Sequence, residues 1–338
     1  MDPFRVAVIG CGAISGNHFH SLEKLKSARL TAVCDIDPEK LKNAAEAQHA
    51  KAYDDWRELL ADPEIDAVHI CTPHCLHRDM AVAALNAGKH VLCEKPMGLN
   101  AAEAEAMAEA AAKAEGQLTV CFQNRYNAAS RRMKELISSG SLGGFTGGSA
   151  FVVWNRTDTA QKYYRADGWR GKWASEGGSA LINQAIHTLD LARWLTGDLS
   201  VVSGAMLAHK LGDAIETEDT CDLLMQDKAG HRMLFYCTNC GGSNLPVQLH
   251  LNFEKGELHL NGSILTIRTA GSTEVEDHSS EVLVGKDYWG SGHGPLIEDF
   301  YRRLALGQPP AITAEDALRT MRLMDEAYQA HATERRRL

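Results

Sequence analysis

The sequence lacks the long apolar runs that are typical of membrane proteins and the excess of basic residues that is typical of nucleic-acid-binding proteins. Among its 338 residues, no apolar run approaches the length of a membrane span, which argues against a membrane protein. The formal net charge is −9, which disfavours nucleic acid as a partner because phosphates require a basic surface. With 44% hydrophobic and 23% charged residues, the composition is that of a globular protein long enough for two domains.

Paired cysteines are also lacking. The nine cysteines are odd in number and scattered, so we expect reduced thiols and a cytoplasmic location. Cys237-x-x-Cys240 has no second pair at zinc-finger spacing, so the sequence predicts no metal site. A strand is predicted from Phe4 onwards, which leaves no room for a signal peptide.

Strands alternate with helices over the first 124 residues, which predicts a parallel sheet covered on both faces. From about residue 125, period-two patterns separated by turns predict mostly antiparallel strands. The expected fold class is therefore α/β. Residues 1–124 would form a doubly wound parallel sheet, and residues 125–338 an α+β domain with a large, mostly antiparallel open sheet.

A glycine-containing turn follows the first predicted strand and is typical of dinucleotide binding. Gly10 permits a tight turn, Gly12 lets the backbone approach a pyrophosphate, and the N-terminus of the next helix binds that pyrophosphate. Ser15 occupies the third glycine position and is small enough for close packing. Asp35 lies about 20 residues further on, the spacing of an acid that binds the adenosine ribose. Such an acid favours NAD over NADP.

Asp35 and Asp37 also have an interpretation as helix caps. The pair Asp37-Pro38 is typical of a helix start, so either acid could cap the helix that follows. Asp37 would in addition increase the repulsion of a 2′-phosphate. Both interpretations can hold, one for each acid.

A short apolar run, Val91 to Cys93, ends abruptly in Glu94-Lys95-Pro96. In open α/β sheets, ligands bind beyond the carboxyl ends of the strands, so a lysine fixed there by the following proline can reach a substrate. The alternative is a surface Glu-Lys pair before a turn.

One predicted helix in the second half, from Glu176 to Leu195, carries Asn183, His187 and Asp190 on one face. Asp190 could hold one ring nitrogen of His187 and leave the other for proton transfer, while Asn183 could bind a substrate hydroxyl. The alternative is a core histidine with its hydrogen bonds satisfied.

An aromatic and basic cluster precedes this helix and suits a sugar or a carboxylated ligand. Its members are Tyr163, Tyr164, Arg165, Trp169, Arg170 and Trp173. For the tryptophans, packing at a domain interface is an equally good explanation.

These motifs together resemble the glucose–fructose oxidoreductase/inositol dehydrogenase/MocA-like (Gfo/Idh/MocA) family. The matching features are Gly10-Cys11-Gly12, Thr72-Pro73 with His77, the stretch Gly88 to Pro96, Arg125-Tyr126, the helix from Gly177-Gly178 to Asp190, and Gly292-His293 followed by Ile297-Glu298-Asp299-Phe300. The resemblance implies an N-terminal Rossmann domain and NAD as the cofactor. It also implies a sugar or polyol substrate and a C-terminal open sheet that forms homodimers or homotetramers.

The resemblance also implies roles for single residues. Lys95 would lie near the nicotinamide and the reacting hydroxyl, and His187 would be the histidine of the substrate helix. The family commonly has Asp four residues before that histidine, whereas this chain has Asn183, which cannot take a proton. Acid–base catalysis would then fall on Lys95 and His187, with Asn183 as a positioning group. The expected cofactor-binding residues are Gly10, Gly12, Ala13, Ile14, Asp35, Thr72, Pro73, His74, His77, Glu94 and Lys95. The expected substrate-binding residues are Arg125, Tyr126, Tyr164, Arg165, Trp169, Asn183 and His187.

The expected reaction is reversible hydride transfer between NAD and a secondary alcohol of a sugar, polyol or related cyclic substrate. Lys95 would remove the hydroxyl proton, which requires its pKa to fall from about 10.4 towards about 7 or 8. One alternative is a hydrolase or epimerase that uses tightly bound NAD for transient oxidation. Another is a non-catalytic NAD-binding regulator.

Overall fold

The computed structural model describes residues 2–157, 163–279 and 291–335, and the chain divides into two compact units. The first unit comprises Met1–Phe122 and His293–Leu318, and the second comprises Gln123–Gly292 and Arg319–Leu338. The sequence placed one boundary after residue 124 and assigned everything beyond it to the second domain. The structure differs, because the segment His293–Leu318 returns to the first unit.

A six-stranded parallel sheet forms the centre of the first unit, in the order β3-β2-β1-β4-β5-β6. Its strands are β1 (Phe4–Ile9), β2 (Ala28–Cys34), β3 (Lys51–Tyr53), β4 (Ala67–Ile70), β5 (His90–Cys93) and β6 (Leu118–Val120). The helices between them are α1 (Ser15–Glu23), α2 (Pro38–Gln48), α3 (Trp56–Ala61), α4 (His77–Asn86) and α5 (Ala101–Lys113). This strand order is that of a doubly wound dinucleotide-binding sheet, so the expected fold of this region is confirmed.

The central strands β4 and β5 are buried over nearly all of their length. All four residues of β4 are buried, and β5 is buried over Val91, Leu92 and Cys93. A strand covered on both faces needs a nearly continuous apolar run, which explains why these segments do not alternate. The glycine turn follows β1, Asp35 follows β2, Thr72 follows β4 and Lys95 comes two residues after β5. Because the strands are parallel, these positions share the carboxyl edge of the sheet.

The second unit contains an eight-stranded sheet in the order β14-β13-β12-β11-β7-β10-β9-β8. The described helical segments before and within it are a 3₁₀ helix (Gln123–Tyr126), α6 (Ala128–Ser138), a π-helical segment (Ala180–Ala185) and α7 (Ile186–Thr196). Its strands are β7 (Phe145–Val153), β8 (Ser200–Leu207), β9 (Thr220–Gln226), β10 (Arg232–Thr238), β11 (Gln248–Phe253), β12 (Gly256–Asn261), β13 (Ile264–Thr269) and β14 (Ser272–Asp277). Strands β7 and β10 pair in parallel, and the other described pairs are antiparallel. The expected mostly antiparallel sheet is confirmed.

The strands of this second sheet alternate in burial, as a sheet with one covered face requires. In β10, Met233 and Phe235 are fully buried, whereas Leu234 between them is 45% exposed. In β11, Leu249 and Leu251 are buried and His250 between them is partly exposed. The apolar face of the sheet therefore supplies much of the core of the second unit.

Two helices complete the described chain, α8 (His293–Ala305) and α9 (Ala314–Arg335). Helix α8 packs against α1 of the first unit through an apolar face. The buried members of that face are Leu296, Ile297, Phe300, Tyr301 and Leu304. In the part of the chain that the structure describes, no helix is both long and apolar enough to cross a membrane.

Candidate active site

The glycine turn after β1 has the geometry that a dinucleotide-binding turn requires. Gly10 has φ +95°, and a Cβ there would lie 2.6 Å from the carbonyl oxygen of Cys71, so only glycine fits. At Gly12 an added Cβ would meet no heavy atom within 4 Å, so the packing of the described chain does not require a glycine there. Because packing does not explain this glycine, we interpret Gly12 as the position where a bound pyrophosphate approaches the backbone.

Helix α1 begins with Ser15, which follows Ala13 and Ile14. The Ser15 hydroxyl donates to the carbonyl oxygen of Gly12 at 2.7 Å, which closes the turn and explains how serine serves at the third glycine position. Ile14 caps α1 without a side-chain hydrogen bond, and Ala13 is exposed. The N-terminus of α1 therefore has no side-chain cap, and helix N-termini are sites where anions bind.

The two acids that follow β2 have different roles. The Asp37 carboxylate accepts hydrogen bonds from the N–H groups of Glu39 and Lys40, so Asp37 is the cap of α2. The Asp35 carboxylate accepts from the N–H of Cys11 at 2.7 Å and from that of Asp37 at 2.9 Å. Asp35 is thus fixed beside the glycine turn, and its binding to a ribose stays a prediction.

The loop after β4 holds Thr72, Pro73 and His74, and it is tied to the loop after β5 by His77. The ring of His77 is fully buried, with Nδ1 2.8 Å from the carbonyl oxygen of Pro96 and Nε2 3.0 Å from that of Thr72. Burial lowers the pKa of His77, although both carbonyl oxygens favour its protonated form. The position of His77 favours an indirect role, in which its ring holds the two loops together by hydrogen bonds and does not touch the cofactor.

Glu94 and Lys95 follow β5 and differ in exposure. Lys95 is half-buried, and its peptide bond to Pro96 is cis. The Glu94 carboxylate is buried, with Oε1 2.9 Å from Nε2 of His18 and 3.4 Å from Nε2 of His293. Burial raises the pKa of Glu94, but the hydrogen bond with His18 and the nearby ring of His293 outweigh it and hold that pKa well below its usual value. Lys95, and not Glu94, therefore presents an accessible side chain at this strand end.

In the second unit, the predicted single helix begins differently from the expectation. The backbone is π-helical over Ala180–Ala185, and α7 begins only at Ile186, so Asn183 and His187 lie in different types of helix. A π-helical turn has one more residue than an α-helical turn needs, so the expected stacking of Asn183 on His187 does not apply, whereas His187 and Asp190 are three residues apart within α7. Such segments are frequent at functional sites, and the sequence carried no signal for this one.

Asn183 is bound by two neighbours that the sequence did not connect to it. Its amide nitrogen donates to Oε1 of Glu176 and, at 3.3 Å, to the hydroxyl of Tyr163. The Tyr163 hydroxyl also accepts from the side-chain amide of Gln184 at 2.7 Å. Burial raises the pKa of Glu176, opposed by hydrogen bonds from Gly171 and Asn183. Glu176 and Tyr163 thus set the orientation of the Asn183 amide.

Asp190 forms a buried ion pair. Its carboxylate accepts from Nε of Arg125 at 2.7 Å and from a terminal guanidinium nitrogen of Arg125 at 2.6 Å, and the hydroxyl of Thr320 donates to it at 2.7 Å. His187 Nε2 lies 3.2 Å from the side-chain nitrogen of Gln123. The carboxylate that was expected to orient His187 therefore serves Arg125. Because Arg125 is only 4% exposed, its pairing favours a structural role over the expected contact with substrate.

The aromatic and basic cluster separates into buried and exposed members. Tyr164 is 4% exposed, packs with Leu211 and Ile215, and accepts at its hydroxyl from the Asn239 amide at 2.9 Å. Burial raises the pKa of Tyr164 far above its usual value. Arg165 is exposed and pairs with Asp167. These positions favour packing for Tyr164 and surface pairing for Arg165 over the expected substrate contacts.

The remaining members of the expected substrate set lie in contact with arginines. The Arg170 guanidinium lies 4.4 Å from the ring centroid of Trp169 and 4.5 Å from that of Tyr163. The Arg131 guanidinium lies 4.7 Å from the ring centroid of Tyr126. Trp169 and Tyr126 are both half-buried, so their expected substrate contacts stay predictions.

Two family models match this chain and together cover most of it. Residues 4–122 match a model described as an oxidoreductase family with an NAD-binding Rossmann fold, and residues 130–259 match the GFO/IDH/MocA C-terminal domain. The chain belongs to the Gfo/Idh/MocA family. The resemblance inferred from the motifs is thereby confirmed, and the first unit contains the family's NAD-binding Rossmann fold.

Individual relatives align over nearly the whole chain. Myo-inositol 2-dehydrogenase of Thermotoga maritima is 24% identical over 319 residues, which is 92% of this chain and 91% of the relative. A crystal structure of the WlbA dehydrogenase of Chromobacterium violaceum with NADH and UDP-GlcNAcA is 30% identical, with a TM-score of 0.87, and the alignment covers 99% and 95% of the two chains. Levoglucosan dehydrogenase with NADH and levoglucosan has a TM-score of 0.88 at 22% identity, covering 98% of each chain, and supports the fold alone.

Proposed function

We propose that this protein is an NAD-dependent dehydrogenase that transfers hydride between NAD and a secondary alcohol of a sugar, polyol or related cyclic substrate. The observation that carries the proposal is the placement of Lys95 at the same sheet edge as the glycine turn, two strands away from it. A dinucleotide bound at the glycine turn would run along this edge, where Lys95 presents an amine. Relatives named for inositol, apiose and levoglucosan support the class of substrate.

The reaction needs a base as well as a hydride acceptor. When hydride leaves the carbinol carbon for the nicotinamide, the hydroxyl must lose its proton, and Lys95 is the group we assign to accept it. We assign His187 to share this proton transfer and Asn183 to bind the substrate. The contacts of Asn183 with Glu176 and Tyr163 support this positioning role, because they fix the amide plane. NAD supplies only the hydride exchange.

Substitution of Lys95 tests the assignment. Lys95→Met should lower kcat by about 10²–10⁴-fold, the contribution of a positioned acid or base, while the Kd for NAD stays similar. The assay follows the absorbance of the reduced nicotinamide across a panel of sugars and polyols, with NAD and NADP in parallel. Lys113→Met, on the exposed surface of α5, is the matched control and should keep wild-type turnover.

Two results would count against the proposal. Turnover of the Lys95→Met variant close to wild type would remove Lys95 from the reaction. Substrate conversion without net change in the nicotinamide absorbance would indicate transient oxidation by tightly bound NAD, as in a hydrolase or epimerase.

We further propose that the protein is cytoplasmic and forms homodimers or homotetramers through its eight-stranded sheet. The nine cysteines are all unbridged, which supports a reducing compartment. Leu234 on β10 and Leu207 on β8 expose 45% and 39% of their surface, and such residues support association through this sheet. Light scattering of the purified protein would measure the oligomer. A monomer at micromolar concentration would contradict the proposed assembly.

A further inference from the structure

Four potential metal ligands meet in the interior of the first unit. They are His18 in α1, Glu94 after β5, Cys121 after β6 and His293 at the start of α8. One donor atom from each side chain lies within 4.8 Å of the donor atoms of the other three, and all four residues are buried. Nothing in the proposed dehydrogenase reaction uses Cys121 or His293.

The spacing of these atoms is close to that of a tetrahedral metal site. Ligands about 2.1–2.3 Å from a central zinc ion are separated from one another by about 3.4–3.8 Å. In the structure Glu94 Oε1 lies 2.9 Å from His18 Nε2 and 3.4 Å from His293 Nε2. Small side-chain movements would therefore suffice to bring the four atoms around one ion.

His293 supplies an independent sign that a ligand is needed. Its Nε2 atom is buried, and among the described residues it has no well-formed hydrogen-bond partner. The 3.4 Å separation from Glu94 is long for a hydrogen bond between charged groups. An unsatisfied ring nitrogen aimed at a carboxylate and close to a thiol is costly unless an ion or a proton occupies the space between them.

The surroundings of His18 resemble the outer shell of a metal-bound histidine. Its second ring nitrogen, Nδ1, lies 3.0 Å from Nδ1 of His69, and Nε2 of His69 lies 2.8 Å from the hydroxyl of Tyr301. If Nδ1 of His18 donates to His69, then Nε2 of His18 carries a lone pair directed into the cluster. Metal-bound histidines commonly donate their other N–H in this way.

We propose that His18, Glu94, Cys121 and His293 bind one structural Zn²⁺ ion. The donor set of two nitrogens, one sulfur and one oxygen matches the ligands that zinc takes in proteins. A thiolate and a carboxylate carry two negative charges, so the loaded site would be neutral, which suits its burial. The thiol proton of Cys121 is released on binding. With four protein ligands the site is closed, so the ion would fasten α8 to the sheet and would not take part in turnover.

This site was not predictable from the sequence, because its ligands are dispersed along the chain. His18 and Glu94 are 76 residues apart, and His293 comes from the segment that returns to the first unit. Short metal motifs depend on local spacing, and none of these residues has a partner within the spacing of a zinc finger.

Cobalt titration of the full-length protein tests the proposal directly. The protein is first stripped with a chelator and dialysed, and Co²⁺ is then added as a spectroscopic probe. We expect one Co²⁺ per chain, with a thiolate-to-cobalt charge-transfer band and the intense visible bands of tetrahedral coordination. Zn²⁺ should displace the cobalt stoichiometrically. Absence of the charge-transfer band, or binding of less than a stoichiometric amount of metal at saturation, would overturn the proposal.

Variants identify the ligands independently of enzymatic activity. Cys121→Ser should lose the charge-transfer band, whereas Cys93→Ser, which changes an equally buried cysteine of the same sheet, should keep it. His69→Gln should weaken Zn²⁺ binding by about 10–100-fold through loss of the outer-shell contact. Retention of the band in Cys121→Ser would refute the site. If Cys121→Ser does not fold, the wild-type titration and the His69→Gln affinity still decide the question.

Discussion

Asp35 allows the cofactor preference to be tested with a single substitution. Its carboxylate is fixed by the N–H groups of Cys11 and Asp37, so it is preorganised to accept hydrogen bonds from a ribose. Asp35→Ser would remove charge-assisted hydrogen bonds worth about 1.5–3 kcal/mol, so the KM for NAD should rise about 10–100-fold. The KM for NADP should fall, because repulsion of the 2′-phosphate is lost. Steady-state kinetics with both cofactors measure the two changes.

Asp37 provides the control for this experiment. It caps α2, so Asp37→Ala should lower the free energy of unfolding by about 1 kcal/mol and leave the KM for NAD unchanged. An unchanged preference for NAD in Asp35→Ser would show that another group excludes NADP.

Glu218 should make the stability of the protein depend on pH. Burial raises its pKa to about 7, against hydrogen bonds from the N–H groups of Leu181 and Ser179. The unfolded carboxyl titrates near 4.5, so between these values the folded state binds more protons, and the free energy of unfolding falls as pH rises. Glu218→Gln should therefore be more stable than wild type by about 3 kcal/mol above pH 7 and gain nothing below pH 4. Urea unfolding at both pH values measures this difference.

The matched control is the nearby Glu216, which is exposed. Glu216→Gln should keep the pH dependence of the wild type. If Glu218→Gln shows the same slope of stability against pH as the wild type, the Glu218 carboxyl does not titrate in this range.

At the residue scale, the sequence predicted the features that depend on local spacing. The cap at Asp37 and the turn at Gly10 follow from the types of their immediate neighbours. The partners of Asp190 did not follow, because Arg125 and Thr320 lie far from it along the chain. Spacing on a helix gives the face on which a side chain lies, but not the residue that packs opposite to it.

The π-helical segment depends on the glycines that precede it. Gly178 has φ +143°, and a Cβ there would lie 2.0 Å from the hydroxyl oxygen of Tyr328. Gly178→Ala would therefore combine backbone strain of about 1–3 kcal/mol with displacement of Tyr328, which donates to Glu218 at 3.1 Å. We expect a fall in Tm larger than strain alone produces, together with reduced turnover, since the segment carries Asn183.

The variant Gly197→Ala, at the end of α7, separates the effect of backbone strain from that of displacing Tyr328. Gly197 has φ +96°, but an added Cβ would meet no atom within 4 Å, so Gly197→Ala adds only backbone strain. Thermal unfolding of both variants gives the comparison. Equal losses of Tm would mean that the contact with Tyr328 is easily relieved.

At the element scale, prediction succeeded where a periodic pattern was long or sharply bounded. The apolar run Val91 to Cys93, which ends sharply at Glu94-Lys95-Pro96, lies in strand β5 (His90–Cys93). Strands β3 and β14 and helix α3 were not predicted. Strand β3 has three residues and α3 has six, too few for a period to emerge, and β14 is an edge strand whose residues are nearly all exposed.

At the scale of the whole molecule, the order of the two domains was predictable, but the return of the chain to the first unit was not. Residues 293–318 belong to the first unit, although more than half of the chain separates them from β6. No local pattern reveals such a return, because an amphipathic helix shows that it has an apolar face and not which surface covers that face. Four of the five large buried residues of α8, namely Leu296, Ile297, Phe300 and Tyr301, are at most 2% exposed.

The first unit should therefore require its returning segment in order to fold. A fragment of residues 1–122 would expose the surface that α8 covers, and burial of side chains such as Leu296, Ile297 and Phe300 contributes about 1.5–3 kcal/mol each. We expect the fragment to unfold or aggregate, whereas its fusion to residues 293–318 through a flexible linker should fold and bind NAD. Circular dichroism and calorimetric titration with NAD compare the two proteins. A fusion in which Leu296, Ile297 and Phe300 are replaced by serine is the control, and should behave like the fragment.

The fragment alone could also bind NAD as tightly as the fusion. In that case the sheet would be stable without α8, and the returning segment would be dispensable for the fold of the first unit.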